Sequence, residues 1–168
     1  MRPTLLLTKE VSVCHQFSSG DLGHLIYIHG TQNVLDYGFN EVHEAYCAKI
    51  AAEFILNPDP KRSKAWLLKK SNSIVGSVFI IERSQIEAQL RLLFVDKSVR
   101  GAGLGRWLVQ EAVEYCRLVE FQRLYLWTVK GLDRAIFIYE SVGFIQTETQ
   151  ITYSWGGQSI ENRYDLTF

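Results

Sequence analysis

Apolar residues recur along this chain with two periods, and the switches between them divide it into elements. Val11, Val13, His15 and Phe17 alternate loosely between Glu10 and Phe17, which predicts a first strand. Ser18-Ser19-Gly20-Asp21 offers caps for a short helix through about His29. From Tyr37 to Leu56 the spacing is helical, with Phe39, Val42, Tyr46, Ile50 and Phe54 on one face, and Asn57-Pro58 stops it. Asn57-Pro58-Asp59-Pro60-Lys61 reads as a turn. Lys64 to Lys70 and Ile74 to Glu82 form a hairpin around Ser71-Asn72-Ser73. Glu87 to Val95 ends in a nearly continuous apolar run, the mark of a central strand. Leu104 to Val119 turns Leu104, Leu108, Ala112, Tyr115, Cys116 and Val119 inward as a helix. A strand over Arg123 to Val129 and a helix over Asp133 to Val142 follow, the helix ended by Gly143. Phe144 to Trp155 and Gln158 to Phe168 make a last hairpin across Gly156-Gly157.

The predicted order is β-α-α-β-β-β-α-β-α-β-β. Consecutive strands, then a strand–helix–strand unit over Glu87 to Val129 that closes as a right-handed crossover, imply a mixed sheet. The fold class is α/β of the α+β kind, with six or seven strands flanked by about four helices. At 168 residues the chain fits one domain, residues 1–168. Lys plus Arg and Asp plus Glu are 18 each, so the basic excess of a nucleic-acid binder is missing. Cys14, Cys47 and Cys116 are odd in number and form no CxxC pair, which argues against a disulfide framework and for a reducing compartment. Leu5-Leu6-Leu7 is too short for a signal core, and no stretch is long enough for a membrane span. A cytoplasmic protein with no nucleic-acid or membrane partner is expected.

The segment richest in chemistry is Val95-Asp96-Lys97-Ser98-Val99-Arg100-Gly101-Ala102-Gly103-Leu104-Gly105-Arg106-Trp107. Three alternating glycines at a strand-to-helix junction let backbone approach a ligand closely. Free N–H groups and the helix dipole make an anion site there. Arg100 and Arg106 flank it and can add charge, so a pyrophosphate-bearing cofactor is expected. A P-loop would need Lys-Ser/Thr after Gly105 where Arg106-Trp107 stand. A Rossmann fingerprint would need a small residue at position 106 and would open the sheet, so a dinucleotide oxidoreductase is only a distant alternative.

Arg100-Gly101-Ala102-Gly103-Leu104-Gly105 matches the pattern Arg/Gln-x-x-Gly-x-Gly/Ala. It resembles the coenzyme A loop of the GNAT N-acetyltransferases. Ala135-Ile136-Phe137-Ile138-Tyr139-Glu140-Ser141-Val142-Gly143-Phe144 resembles their Ala-x-x-x-Tyr-Glu-x-x-Gly-Phe helix, and the element order is also theirs. Asp36-Tyr37-Gly38-Phe39, Asp59-Pro60-Lys61-Arg62, Leu90-Arg91-Leu92-Leu93-Phe94-Val95 and Leu126-Trp127-Thr128 are similar to the acetyltransferase half of helix-turn-helix/GNAT fusion regulators. The chain leaves no room for a DNA-binding half.

The resemblance implies an acyl-CoA N-acyltransferase fold with acetyl-CoA as cosubstrate and direct transfer to an amine. It places the thioester and pantetheine on backbone at Leu93, Phe94 and Val95, where the strand bulges, and the phosphates on Arg100 through Arg106, including Ala102 and Leu104. It gives Tyr139 the role of proton donor to the leaving thiolate and makes Glu87 a candidate general base. Tyr37 and Phe39 open the helix that walls the acceptor cleft, and Trp127 joins them as an acceptor contact. The Asn that many relatives carry after the fifth strand is replaced here by Thr128-Val129-Lys130-Gly131-Leu132-Asp133. The expected acceptor is a small amine; a protein amine, or an acyl-CoA sensor without turnover, are the alternatives. A homodimer is compatible with the family.

Arg91 stands apart, because a charge on a central strand needs an anion. Its partner is either a core acid or the carboxylate of a substrate held bidentately, which would make the acceptor amino-acid-like. All four histidines, His15, His24, His29 and His43, lie near the N-terminus with Cys14 and Cys47. His43-x-x-x-Cys47 is half of a zinc spacing, but no closed motif completes it, and no metal is expected. Cys116 reads as a buried small hydrophobe.

Overall fold

The computed structural model describes residues 11–57, 61–155 and 157–168. Seven strands and four helices follow the predicted order: β1 (Ser12–Cys14), α1 (Asp21–Tyr37), α2 (Glu41–Leu56), β2 (Lys64–Lys70), β3 (Ser73–Glu82), β4 (Glu87–Val95), α3 (Leu104–Leu118), β5 (Arg123–Val129), α4 (Asp133–Val142), β6 (Ile145–Thr152) and β7 (Ser159–Thr167). A short 3₁₀ turn, Lys97–Val99, precedes α3. The seven strands form one sheet in the order β1-β2-β3-β4-β5-β7-β6. Every pairing is antiparallel except β4–β5, the pair joined by α3. Glu10, the Pro58–Pro60 turn and Gly156 lie outside the described residues.

The largest departure from the sequence reading is α1, which runs on to Tyr37 instead of stopping near His29. Gly30 does not break it; it lies buried against α2, where the Glu44 carboxylate folds over it. The stop is Gly38, left-handed at φ 70°, whose N–H bonds back to the Asn33 and Val34 carbonyls. Helix α2 therefore begins at Glu41, where the Asn40 side chain accepts the Val42 N–H at 3.2 Å, and not at Tyr37.

The sheet is covered on both faces. Leu104, Leu108, Ala112 and Cys116 of α3 pack with Val78, Ile80, Leu90 and Leu124 on one side. Leu25 and Ile28 of α1 and Ala51 of α2 pack with Leu67, Ile74, Phe79 and Phe94 on the other. Two-sided burial fits the nearly continuous apolar run at the end of β4.

One irregularity positions the site. Ser77 pairs with Phe94 but Phe79 pairs with Arg91, so β4 carries an extra residue. Leu92 absorbs it at φ 49°, and the Ser77 hydroxyl donates to the Leu92 carbonyl at 2.7 Å. This bulge lies two to three residues earlier than the expected Phe94–Val95. The parallel pairing of β4 with β5 spans only Glu87 to Gln89 against Arg123 to Tyr125. Beyond that point the two strands part, and the β5-facing edge of β4 opens onto a cleft.

Candidate active site

The cleft between the parted strands has a volume of about 1010 Å³ and is walled by α1, α2, β4, the glycine loop, β5, α4 and the β6–β7 turn. That capacity matches the upper end of small-ligand sites.

One half is the glycine loop. Gly101 and Gly103 sit at φ 85° and 77° with open space where a side chain would stand. No side chain caps the start of α3 at Gly103, so its first N–H groups are free to face an anion. Gly105 packs tightly: a Cβ there would stand 3.0 Å from Ile138 of α4. Arg100, Gly101, Gly103, Leu104, Gly105 and Arg106 all line the cleft, whereas Ala102 packs inward on the core. Arg100 departs from its expected role. Its guanidinium donates to the Val95 carbonyl at 2.8 Å, to Asp36 at 3.2 Å and to Gln32 at 3.3 Å. Lys97 also bonds Asp36 at 2.7 Å, and mainly through that bond the Asp36 carboxyl is held below the usual carboxylate range. Arg100 is thus a brace between loop and α1, and the exposed Arg106 carries the loop's available charge. These free N–H groups, open glycines and Arg106 fit a pyrophosphate.

Leu93, Phe94 and Val95 line the middle of the cleft. Tyr139 faces them from α4, only 6% exposed, with its ring edge-on to Phe144 at 5.9 Å. Burial, reinforced by nearby Tyr37, pushes its hydroxyl well above the ordinary tyrosine value, so it keeps its proton. Among the described residues none hydrogen-bonds that hydroxyl.

The other half is aromatic. Tyr37, Phe39 and Trp127 line it as expected. Phe39 packs on His43 at 4.7 Å, and Trp155 of the β6–β7 turn stands edge-on to His43 at 5.2 Å and tilted over Tyr46 at 4.7 Å. The turn therefore crosses the cleft and roofs this end. Trp155 is held at φ 66° by that packing and by its Nε1–H bond to Glu161 at 2.8 Å. Gln150 also donates to Glu161, at 3.0 Å.

Arg91 is not buried against a core acid. The bulge turns it to the cleft, where it donates to the Tyr46 hydroxyl and lies 4.9 Å over that ring. Glu87 is not brought to the cleft at all. Its carboxylate is bound by Arg163 at 3.2 Å and Arg123 at 3.5 Å on the far end of β4, where the strands are still paired. That position corrects its reading as the general base.

Three features were missed in sequence. Arg134 lines the cleft beside Ala135, Ile138 and Tyr139, and its i+4 spacing to Ile138 was the signal for that face. Glu161 and His29 also line it; Glu161 comes from the last strand, and no local signal places it there.

The sequence matches the acetyltransferase (GNAT) family over residues 32–144. Over 82 residues it is 32% identical to the uncharacterized N-acetyltransferase YjgM of Escherichia coli K12, covering 47% of this chain and 49% of that protein. The chain thus spans about half the length of that relative. An acetyltransferase from Streptococcus agalactiae 2603 shares the fold at a TM-score of 0.74 and 20% identity, over 95% of this chain and 99% of that one. So does the spermidine N-acetyltransferase of Vibrio cholerae, solved with CoA and spermine, at a TM-score of 0.69 and 17% identity over 95% and 96%. With the family matched over most of the chain, the chain belongs to the GNAT family of acetyltransferases, whose cosubstrate is acetyl-CoA.

Proposed function

We propose that this acetyltransferase moves the acetyl group of acetyl-CoA directly to the amine of a small acceptor that carries a carboxylate. The observation that carries the reading is Arg91: it faces a roofed cleft, and among the described residues no carboxylate pairs it. A guanidinium in such a place is matched by a ligand carboxylate. The roof made by Trp155 favours a small molecule over a protein chain, which needs an open groove. The charge balance disfavours a polyamine. With Arg100 paired to Asp36 and Arg106 given to the phosphates, Arg91 and Arg134 still line the cleft against one carboxylate among its described residues, Glu161.

Acetyl-CoA supplies an acyl carbon activated as a thioester. Arg106 and the free N–H groups at the start of α3 hold its phosphates. The unpaired edge of β4 beyond Gln89 offers backbone N–H donors to charge that builds on the carbonyl oxygen. Tyr139 gives the departing sulfur a hydrogen bond or a proton. Arg91 fixes the acceptor by its carboxylate and so aims the amine.

The test is thiol release from acetyl-CoA with a panel of amino acids, simple amines and spermidine. Amino acids are expected to be the best acceptors. Arg91→Met is expected to raise their KM by about ten- to a hundredfold, the worth of a charged hydrogen bond, with the KM for acetyl-CoA unchanged. Spermidine as the best acceptor, or an unchanged KM for every acid, sinks the carboxylate reading. Binding of acetyl-CoA with no thiol release for any amine favours a sensor.

A further inference from the structure

The cleft holds a cluster that the roles above leave unused. His29 of α1 and His43 of α2 flank Cys47 of α2. The Cys47 sulfur lies 3.9 Å from His29 Nδ1, and 3.8 Å and 3.9 Å from His43 Nε2 and Nδ1. No group of three or more ligating side chains among the described residues is placed to hold a metal ion. The other nitrogen of His29, Nε2, is buried without a hydrogen-bond partner, and the residue is only 3% exposed. An orphaned buried nitrogen costs about 1–3 kcal/mol; His29 lines the cleft wall, so a ligand that reaches its ring can make the missing bond. Its place is informative: the His29 ring packs 5.1 Å from Phe94, next to the β4 bulge where acyl transfer must occur.

The reaction needs a group to deprotonate the acceptor, because an ammonium has no lone pair. Glu87 is out of reach of the cleft. Glu161 already accepts bonds from Trp155 and Gln150. The histidines remain. Burial, with the neighbouring His43, lowers His29 to about 3, and burial lowers His43 to about 4, so both rings are neutral at pH 7 and pass a proton on in the relay instead of holding it. Burial pushes the Cys47 thiol up to about 12, so it keeps its hydrogen. The charged groups that bear on the cluster oppose one another: Arg91 of β4 favours the thiolate and Glu44 of α2 disfavours it.

We propose that His29, Cys47 and His43 form a proton relay that deprotonates the acceptor, with His29 Nε2 touching the amine. The inference rests on the acetyltransferase reading above. The ammonium N–H bond breaks as an Nε2–H bond forms. His29 passes its Nδ1 proton to the Cys47 sulfur while the thiol passes its own to a ring nitrogen of His43. Sulfur is neutral before and after, the amine gains its lone pair, and the positive charge ends on half-buried His43, which yields the proton to solvent. The starting tautomers return by exchange with solvent once the product has left. His29 is the catalytic residue here; Cys47 and His43 act through it.

The experiment compares wild type with His29→Phe, Cys47→Val and Cys47→Ser from pH 6 to pH 10, with thermal unfolding as the check on folding. His29→Phe keeps the ring on Phe94, and Cys47→Val keeps the volume while removing the transferable proton. Both are expected to lower kcat/KM for the acceptor by about a hundredfold or more at pH 7, with the KM for acetyl-CoA unchanged. The deficit is expected to close as pH passes the acceptor amine's own pKa, because a free amine needs no base. Cys47→Ser, which still relays through a hydroxyl, retains most of the activity. A deficit of equal size at every pH, or full activity of folded Cys47→Val at pH 7, overturns the relay and leaves the acetyltransferase reading standing. No thiol release by wild type with any amine overturns both.

Discussion

At the residue scale the site is built from groups whose surroundings fix their protonation. Tyr139 is the clearest case. Its ring fills a slot beside Phe144 and Tyr164, while its hydroxyl faces the cleft with burial holding the proton on. Tyr139→Phe keeps the packing and removes the donor. It is expected to lower kcat about a hundredfold or more while the KM for acetyl-CoA moves little, as measured by thiol release. An unchanged kcat would assign the proton to another donor. Tyr139 was legible because a local motif surrounds it. Arg91 was legible as chemistry but not as geometry: an Arg on a central strand ought to be buried, and only the bulge at Leu92 turns it to the cleft. Glu87 failed for a related reason. A carboxylate at the paired end of β4 meets Arg163 of β7, a neighbour no local pattern announces.

At the element scale α1 does two jobs. His29 and Asn33 face the cleft, and Gln32 and Asp36, one turn apart, reach the glycine loop. Gln32 also donates to Asp96 at the end of β4. Expecting this helix to stop near His29 concealed that brace, because glycine at 30 reads as a breaker when it is in fact a contact with α2. Asp36→Asn removes the charge that both Lys97 and Arg100 use. It is expected to raise the KM for acetyl-CoA and for the acceptor together, by a few-fold each in bisubstrate kinetics. Arg106→Ala, which loses a hydrogen bond to the Ser141 carbonyl of α4 at 3.4 Å, is expected to raise the first alone. A variant of Asp36 that affects neither would show the brace to be idle.

At the scale of the whole molecule the order of strands and helices was readable, because strands with alternating or continuous apolar runs and helices with clean stops follow from local chemistry. In the acceptor half the lining aromatics of the first two helices and of the last hairpin were readable, but not their packing, since only folding makes Trp155 a neighbour of His43. The same assembly carries a stability consequence. His29 is neutral when folded, with a value lowered to about 3, whereas the unfolded chain takes up a proton near 6.5. Between those values the unfolded state binds more protons, so stability is full above about 6.5 and falls with pH below it. At pH 5 the loss from this one group is about 2 kcal/mol. Urea midpoints are expected to drop between pH 7 and pH 5, and to drop less in His29→Phe; parallel curves would remove His29 as the cause.

The crossing of Trp155 onto α2 also bears on timing. If Trp155 must lift from His43 and Tyr46 for the acceptor to enter and the product to leave, each catalytic cycle needs two openings. If transfer inside the cleft is fast, the clock of the enzyme is that hinge. Turnover would then slow in viscous solvent while the bond-making step, watched in a single pre-steady-state burst, would not.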